Sequence, residues 1–198
     1  MRHFALVVGG LAMSTMLARP STAAGQNLIE LRGADSKYRY ADWNNTWRRT
    51  VVVDVFYVGV PGSNEVNVGG GYAFKRGHLV VTPLAYAVAG KEEAQRGIKV
   101  AVLLSFDHRA WKVLSFLGHY LPVSGAVERY TVMDALELTR SVGKRLEVGL
   151  QSGFFRAGGA WNAQTGPLVK VNDRYGAWAA SYRFGSLHEF RVGRVLTF

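Results

Sequence analysis

The chain has 198 residues, a formal net charge of +10 and no cysteine. This length suits one domain, and the lack of cysteine excludes a disulfide framework, a thiolate metal site and a cysteine-linked lipid anchor. The cations are spread singly rather than collected in a tail or helix, which argues against nucleic acid as a partner.

The N-terminus has the three parts of a secretory signal peptide. Arg2 lies in a short polar start, an apolar stretch runs from Phe4 to about Leu17, and small residues follow. The apolar part is short and interrupted by glycines, which disfavours a membrane anchor helix. We therefore predict that residues 1–23 are a cleaved signal peptide and that the protein is exported.

Residues 24–47 are polar and aromatic and show no clear period. Three interpretations of this stretch remain open: a periplasmic lead-in, a small plug or an extra strand. We treat this stretch as an N-terminal lead-in segment that precedes the main domain.

From residue 48 onward the hydrophobic pattern has a period of two, which is the period of a β-strand. For example, Leu146, Val148 and Leu150 fall on one face, whereas Glu147 and Gln151 fall on the other. Turn residues return at short intervals, and we expect about ten strands. The expected strands are 48–60, 64–75, 78–89, 97–107, 110–121, 127–140, 144–156, 166–173, 176–185 and 188–198.

The two faces of these strands favour a membrane barrel over a soluble sandwich. One face carries valine, leucine and aromatic residues, and the other is polar or glycine, as in a barrel with an apolar outside and a polar interior. Aromatic residues crowd the expected strand ends, where they would meet the membrane interface. The sequence therefore predicts an all-β fold, an antiparallel up-and-down transmembrane β-barrel over residues 48–198. About ten strands are expected, with eight or twelve left open.

The last ten residues, Glu189 to Phe198, resemble the closing strand of bacterial outer-membrane proteins, which typically ends on phenylalanine. The resemblance implies a location in the bacterial outer membrane, with outer-membrane lipids and the barrel-assembly machinery as partners and Phe198 as an assembly signal. Arg194 departs from the pattern because it falls on the apolar face. A cation facing lipid there costs about 2–4 kcal/mol unless a bulge or snorkelling relieves it.

The polar faces supply the candidate functional residues, because they should point into the barrel. Both signs of charge are present, and charges in a narrow interior tend to pair. Such a network either makes the barrel rigid or lines a narrow passage for small solutes. The expected lumen network is Asp54, Glu65, Lys99, Glu137, Arg145, Glu147, Arg183, Glu189 and Arg191.

No motif defines a catalytic or metal site, and no cofactor is expected. The segment 69–71 consists of three glycines but lacks the strand-to-helix setting of a phosphate loop, so it is interpreted as relief of crowding in a strand. Because His119 and Ser124 could form part of a hydrolytic site, a barrel enzyme that acts on lipid or peptide is left open as an alternative.

The leading prediction is a non-enzymatic barrel that is either structural or a narrow porin-like channel. An exported soluble β-protein is the third possibility, and the oligomeric state is left undetermined.

The turns also predict how charge is distributed along the barrel axis. The longer connections alternate with short turns, and the longer ones mix signs of charge. The cations at or near the short turns are Lys75, Arg76, Arg109, Lys112, Arg140, Lys144, Arg145 and Arg174. Short turns face the periplasm in such barrels. We therefore expect the basic excess at the periplasmic rim and in the lumen.

Overall fold

The strands form one antiparallel sheet that closes on itself. The computed structural model describes residues 26–91, 95–123 and 128–198, so the expected signal peptide over 1–23 lies outside the described residues. The strands are β1 (Gln26–Ala34), β2 (Arg39–Trp47), β3 (Val51–Val60), β4 (Ser63–Tyr72), β5 (Phe74–Arg76), β6 (Leu79–Gly90), β7 (Gly97–His108), β8 (Trp111–Pro122), β9 (Tyr130–Val142), β10 (Leu146–Ala157), β11 (Ala160–Asp173), β12 (Gly176–Gly185) and β13 (Glu189–Thr197).

The closed barrel has twelve strands, so the expectation of about ten is wrong. Residues 26–47 contribute two of them, β1 and β2, and β1 pairs with β13 to close the barrel. The thirteenth strand, β5, pairs with β6 alone. It continues the register of β4 beyond Ala73, because the pair Gly71–Leu84 is followed by Phe74–Val81.

The two faces of the barrel are inverted relative to a soluble protein. Outward side chains are apolar and exposed, such as Val68 at 52% and Leu150 at 53%, whereas inward Lys99 and Arg183 are each only 1% exposed. This arrangement is that of a barrel whose apolar band is covered by lipid. Across the described ranges, no helix has the length and apolar character needed to span a membrane.

A β-bulge in β9 breaks the alternation of that strand. The pairing with β8 shifts between Phe116 and Leu117, and the pairing with β10 shifts between Ser152 and Phe154. The first shift skips Asp134, and the second leaves Asp134 and Ala135 opposite the single residue Gly153. A bulge re-aims the side chain next to it, and here Asp134 reaches inward groups even though it lies an odd number of positions from inward Glu137.

The connections lie at two opposite ends of the barrel. We call the end where β1 begins and β13 ends the terminal rim, and the other end the distal rim. The terminal rim holds the connections β2–β3, β5–β6, β7–β8, β9–β10 and β11–β12. The loop expected at the distal rim over 157–165 is shorter than predicted, since Gly158 and Gly159, with φ of 57° and 87°, turn the chain directly into β11.

Candidate functional site

The interior side chains separate into two walls. The aromatic wall lies on β3, β6, β7 and β8 and is packed like an ordinary protein core. In it, the ring of Phe56 stands edge-on to Tyr86 and Phe116, with centroids 5.1 and 5.9 Å away. The buried residues of this wall are Val52, Phe56, Leu84, Tyr86, Val88, Ala101 and Tyr120.

The opposite side of the interior carries charged side chains and is called the charged wall below. It lies on β9 to β13 and β1, together with Lys112 at the start of β8. Some of its ion pairs lie within one strand or between neighbours, whereas others, such as Lys170 with Glu137, join strands that are not neighbours in the sheet. They are Glu30, Arg32, Lys112, Asp134, Glu137, Glu147, Lys170, Arg183, Glu189 and Arg191.

Asp134, placed by the bulge, lies at the middle of the charged wall. Arg191 Nη1 donates to its Oδ1 across 2.9 Å, and Tyr38 donates its hydroxyl to Oδ2, also across 2.9 Å. Arg32 Nη1 lies 3.6 Å from Oδ2 and Arg183 Nη1 lies 3.7 Å from Oδ1. One carboxylate therefore faces three guanidinium groups, which is the condition under which a buried charge is tolerated.

Glu189 extends the network to the distal rim. Arg183 Nη2 donates to its Oε1 across 2.5 Å, and Arg191 Nε donates to the same oxygen. Ser36, in the β1–β2 connection, donates its hydroxyl to Oε2 across 2.5 Å. The polar contacts thus reach the loops at this end of the barrel.

Glu137 and Glu147 extend the network toward the terminal rim. Glu137 accepts from Lys170 Nζ and, at 2.8 Å, from Gln151 Nε2. Glu147 accepts from Lys112 Nζ at 2.5 Å and from Asn172 Nδ2 at 2.9 Å. Together with the Asp134 and Glu189 contacts, these bonds make a polar track that runs along one wall from rim to rim.

A small cavity lies beside the track. It has a volume of about 40 Å³ and is lined by charged groups that include Glu30, Arg32, Glu137, Lys170 and Arg191. A volume of this size holds only a few water molecules. The interior at this level is therefore narrow and polar.

The aromatic wall contains two separate polar contacts. Lys99 Nζ donates to Glu65, which also accepts from the Tyr130 hydroxyl at 2.5 Å. Tyr86 donates its hydroxyl to Asp54 across 2.5 Å. These contacts satisfy the charges that the aromatic wall buries.

The structure distributes the nine predicted lumen residues unevenly. Glu65 is half-buried and faces inward, whereas Arg145 is exposed in the β9–β10 connection. Arg145 fails as a lumen residue because β10 begins at Leu146, so the alternation that places Glu147 inside does not extend to it. The buried members are Asp54, Lys99, Glu137, Glu147, Arg183, Glu189 and Arg191.

Several residues of the charged wall were missed from sequence. Glu30 and Arg32 lie in the stretch treated as a lead-in, where Glu30, Arg32 and outward Leu31 do alternate. Asp134 was missed because the bulge changes the alternation of β9. Lys170 was also missed, although its even spacing from Asn172 in β11 is a signal that could have placed both on the inward face.

Arg194 faces outward, as its spacing predicted, and is compensated there. Its Nη1 lies 2.9 Å from Asp173 Oδ2 and its Nη2 donates to Oδ1 across 3.0 Å. Its guanidinium lies 5.0 Å from the centroid of the Trp178 ring. The side chain thus reaches an acid at the end of β11, on the terminal rim, rather than ending in lipid.

Phe198 lies just past β13 and is 66% exposed. Its amide donates to the Asn27 carbonyl across 3.1 Å, and the Asn27 amide donates back to the Phe198 carbonyl across 3.2 Å. These bonds extend the β1–β13 seam by one residue. The role of Phe198 as an assembly signal stays a prediction.

The structure does not bring His119 and Ser124 together as a described catalytic pair. His119 Nδ1 lies 2.9 Å from Thr131 Oγ1, and Ser124 lies outside the described residues. Within 26–91, 95–123 and 128–198, no three His, Cys, Asp or Glu side chains are grouped to hold a metal ion.

Comparison with solved structures finds outer-membrane porins. The KdgM porin matches with a TM-score of 0.63 and 11% identity over 87% of this chain and 99% of that one. The KdgM porin in complex with disordered oligogalacturonate gives a TM-score of 0.64 at 11% identity, again over 87% and 99% of the two chains. The NanC porin gives a TM-score of 0.59 at 10% identity over 87% and 99%.

These likenesses are likenesses of fold, and the predicted outer-membrane barrel fold is confirmed. No family model matches the sequence. No curated protein matches it either.

Proposed function

We propose that the protein is an outer-membrane barrel that acts as a narrow porin-like channel for small solutes. The observation that carries the proposal is the polar track of the charged wall, a succession of bonded polar groups from Glu189 near the distal rim to Glu147 near the terminal rim. The aromatic wall opposite is packed and supplies rigidity. Solute therefore moves along one side of the lumen.

The charges of the track are balanced. Five carboxylates face five cations, so the track favours neither anions nor cations strongly. The KdgM porin has been solved with an oligogalacturonate. For the present chain, the 40 Å³ cavity and the balanced charge support smaller solutes with little net charge.

Planar-bilayer recording of the refolded protein tests this proposal. We expect small, ohmic conductance steps and a reversal potential near zero in a salt gradient. The double variant Glu137→Ala/Lys170→Ala removes both partners of one ion pair, so it widens the track without leaving an unpaired buried charge. It should raise the conductance severalfold.

A matched control is Lys37→Ala/Asp107→Ala, which also removes one amine and one carboxylate, but at exposed rim positions. Its conductance should equal that of the wild type. The absence of conductance steps from both the wild type and the Glu137/Lys170 variant would contradict the channel and leave the structural role, which the filled interior also supports.

We propose no enzymatic activity, and a lipid-hydrolase assay on the refolded barrel checks this.

A further inference from the structure

The terminal rim concentrates exposed positive charge. Its acids on exposed positions are Asp107 and Asp173, and Asp173 is already bound to Arg194. The rim therefore presents a strongly basic ring to its surroundings. Its exposed cations are Arg48, Arg49, Lys75, Arg76, Arg109, Arg140, Lys144, Arg145 and Arg174.

Three of these arginines lie over exposed aromatic rings. The guanidinium carbon of Arg48 is 4.9 Å from the centroid of Trp47. The guanidinium carbon of Arg140 is 5.6 Å from the centroid of the Trp111 ring, and that of Arg174 is 4.4 Å from the centroid of the Tyr175 ring. A guanidinium that stacks on a ring keeps its edge donors available, and these donors fit phosphate oxygens in pairs.

The three stacked arginines are spread around the barrel rather than grouped at one point. They lie at the β2–β3 connection, at the end of β9 and at the β11–β12 connection. Their rings are about half exposed, with Trp47 at 57%, Trp111 at 48% and Tyr175 at 54%. Such rings prefer the interface between hydrocarbon and headgroups, so each arginine is held at headgroup depth.

The distal rim differs in composition. Among the residues described at that rim, one comparable contact is present, in which the guanidinium of Arg156 lies 5.0 Å from the Trp161 ring. Its exposed cations include Lys37 and Arg39, and they share that end with exposed acids such as Asp35 and Glu128. Over the described residues 26–91, 95–123 and 128–198, several arginines stacked on exposed rings are therefore found together only at the terminal rim.

We propose that the terminal rim binds the phosphate headgroups of anionic phospholipids, with Arg48, Arg140 and Arg174 as the contacting residues. This inference rests on the proposed membrane location but not on conduction. Arg194 is left out because its guanidinium is bound to Asp173. Charge complementarity selects an anionic lipid, and the flanking apolar band selects a lipid over a free anion.

The test uses the full-length barrel, refolded in neutral detergent micelles and titrated with phosphatidylglycerol or phosphatidylcholine. Native mass spectrometry counts the lipids that stay bound. The wild type should retain phosphatidylglycerol in preference to phosphatidylcholine. The triple variant R48Q/R140Q/R174Q should lose about fivefold in affinity for each cation removed.

The matched control is K37Q/R39Q/R156Q, which removes three exposed cations from the distal rim and so has the same net charge. It should keep the wild-type preference. An equal loss in both triple variants would assign the effect to net charge and overturn the proposal, as would no loss in either. Competition by inorganic phosphate at equal concentration would also overturn it, in favour of a free-anion site.

Two further readouts keep the result separate from folding and from conduction. Heat-modifiable migration in detergent gels verifies that each variant is a folded barrel, and the single variant R140Q gives a milder change if the triple variant is not. Conductance in phosphatidylcholine bilayers should be the same for the R48Q/R140Q/R174Q variant and the wild type. Loss of conduction with lipid preference intact would contradict only the proposed function.

Discussion

Arg191 on β13 donates to Asp134 on β9 across 2.9 Å, although the two residues are 57 positions apart in the chain. Backbone pairing in the barrel joins neighbouring strands only, and β10, β11 and β12 lie between these two. Their contact therefore links distant parts of the wall across the interior. It depends on the bulge that turns Asp134 inward.

Replacing Asp134 with asparagine should destabilise the barrel. The change leaves Arg32, Arg183 and Arg191 without the carboxylate that faces all three, and removing one partner of a buried ion pair costs about 3–5 kcal/mol. Urea unfolding of the refolded protein in phospholipid vesicles measures the loss. Asp107→Asn, at an exposed position, is the control and should change stability by less than about 1 kcal/mol. Equal effects of the two substitutions would remove Asp134 from the centre of the network.

Replacing Gly71 with alanine should lower the refolding yield sharply. A Cβ at this position would lie 1.8 Å from the backbone carbonyl oxygen of Pro83 on β6, so the β4–β6 pairing must open to admit it. Gly33→Ala is the control, because a Cβ there meets no atom within 4 Å. The fraction of heat-modifiable, folded protein after refolding gives the comparison. A wild-type refolding yield for Gly71→Ala would show that crowding against β6 does not require glycine at this position.

Phe198 should help the barrel assemble in cells. Deleting it removes both the ring and the backbone bonds to Asn27, whereas Phe198→Ala removes the ring alone. If the ring is an assembly signal, both variants should show lower outer-membrane abundance while Phe198→Ala refolds normally in vitro. Fractionation and quantitative immunoblotting measure abundance. Unchanged abundance of Phe198→Ala would show that the ring is not an assembly signal and that the residue contributes only through its backbone bonds.

Protease accessibility should reveal the orientation of the barrel. Trypsin added to whole cells should cut at Lys91 or Arg96, which are exposed at the distal rim, and should spare Lys75 and Lys144 at the terminal rim. The reason is that short turns face the periplasm in bacterial barrels. Peptide mapping by mass spectrometry identifies the cuts. The reverse pattern would place the terminal rim at the cell surface and contradict the expectation that the basic rim faces the periplasm.

The period-two pattern sufficed for most of the barrel because most outward residues of strands such as β10, for example Leu146, Val148 and Leu150, are large and apolar. In β1 and β2 the pattern is weaker, since outward Leu31 and Trp43 alternate with residues of mixed polarity and are interrupted by Ala41 and Asn45. A strand seen alone in this way does not reveal that it closes the barrel. That information lies in the pairing of β1 with β13, which is a long-range contact.

Residues of the candidate site could be predicted from the sequence only in strands where inward and outward residues alternate regularly. Glu147 and Gln151 follow the alternation of β10 and could be placed on an inward face. Asp134 could not, because a bulge needs only one added residue and leaves no distinctive composition. Which charges meet across the lumen also depends on the closed cross-section of the barrel. The contacts of Asp134 with Arg32 and Arg191 are of that kind.

The separation of the interior into an aromatic and a charged wall has a consequence for how the protein can change. Substitutions that conserve volume on the aromatic wall, at apolar residues such as Val52 and Leu84, alter packing without removing a charge or a polar contact from the track. Paired substitutions on the charged wall, such as those at Glu137 and Lys170, alter that field while the packed half keeps its shape. Packing and the proposed solute preference thus depend largely on different strands, so the selectivity of such a channel could be changed while its scaffold stays the same.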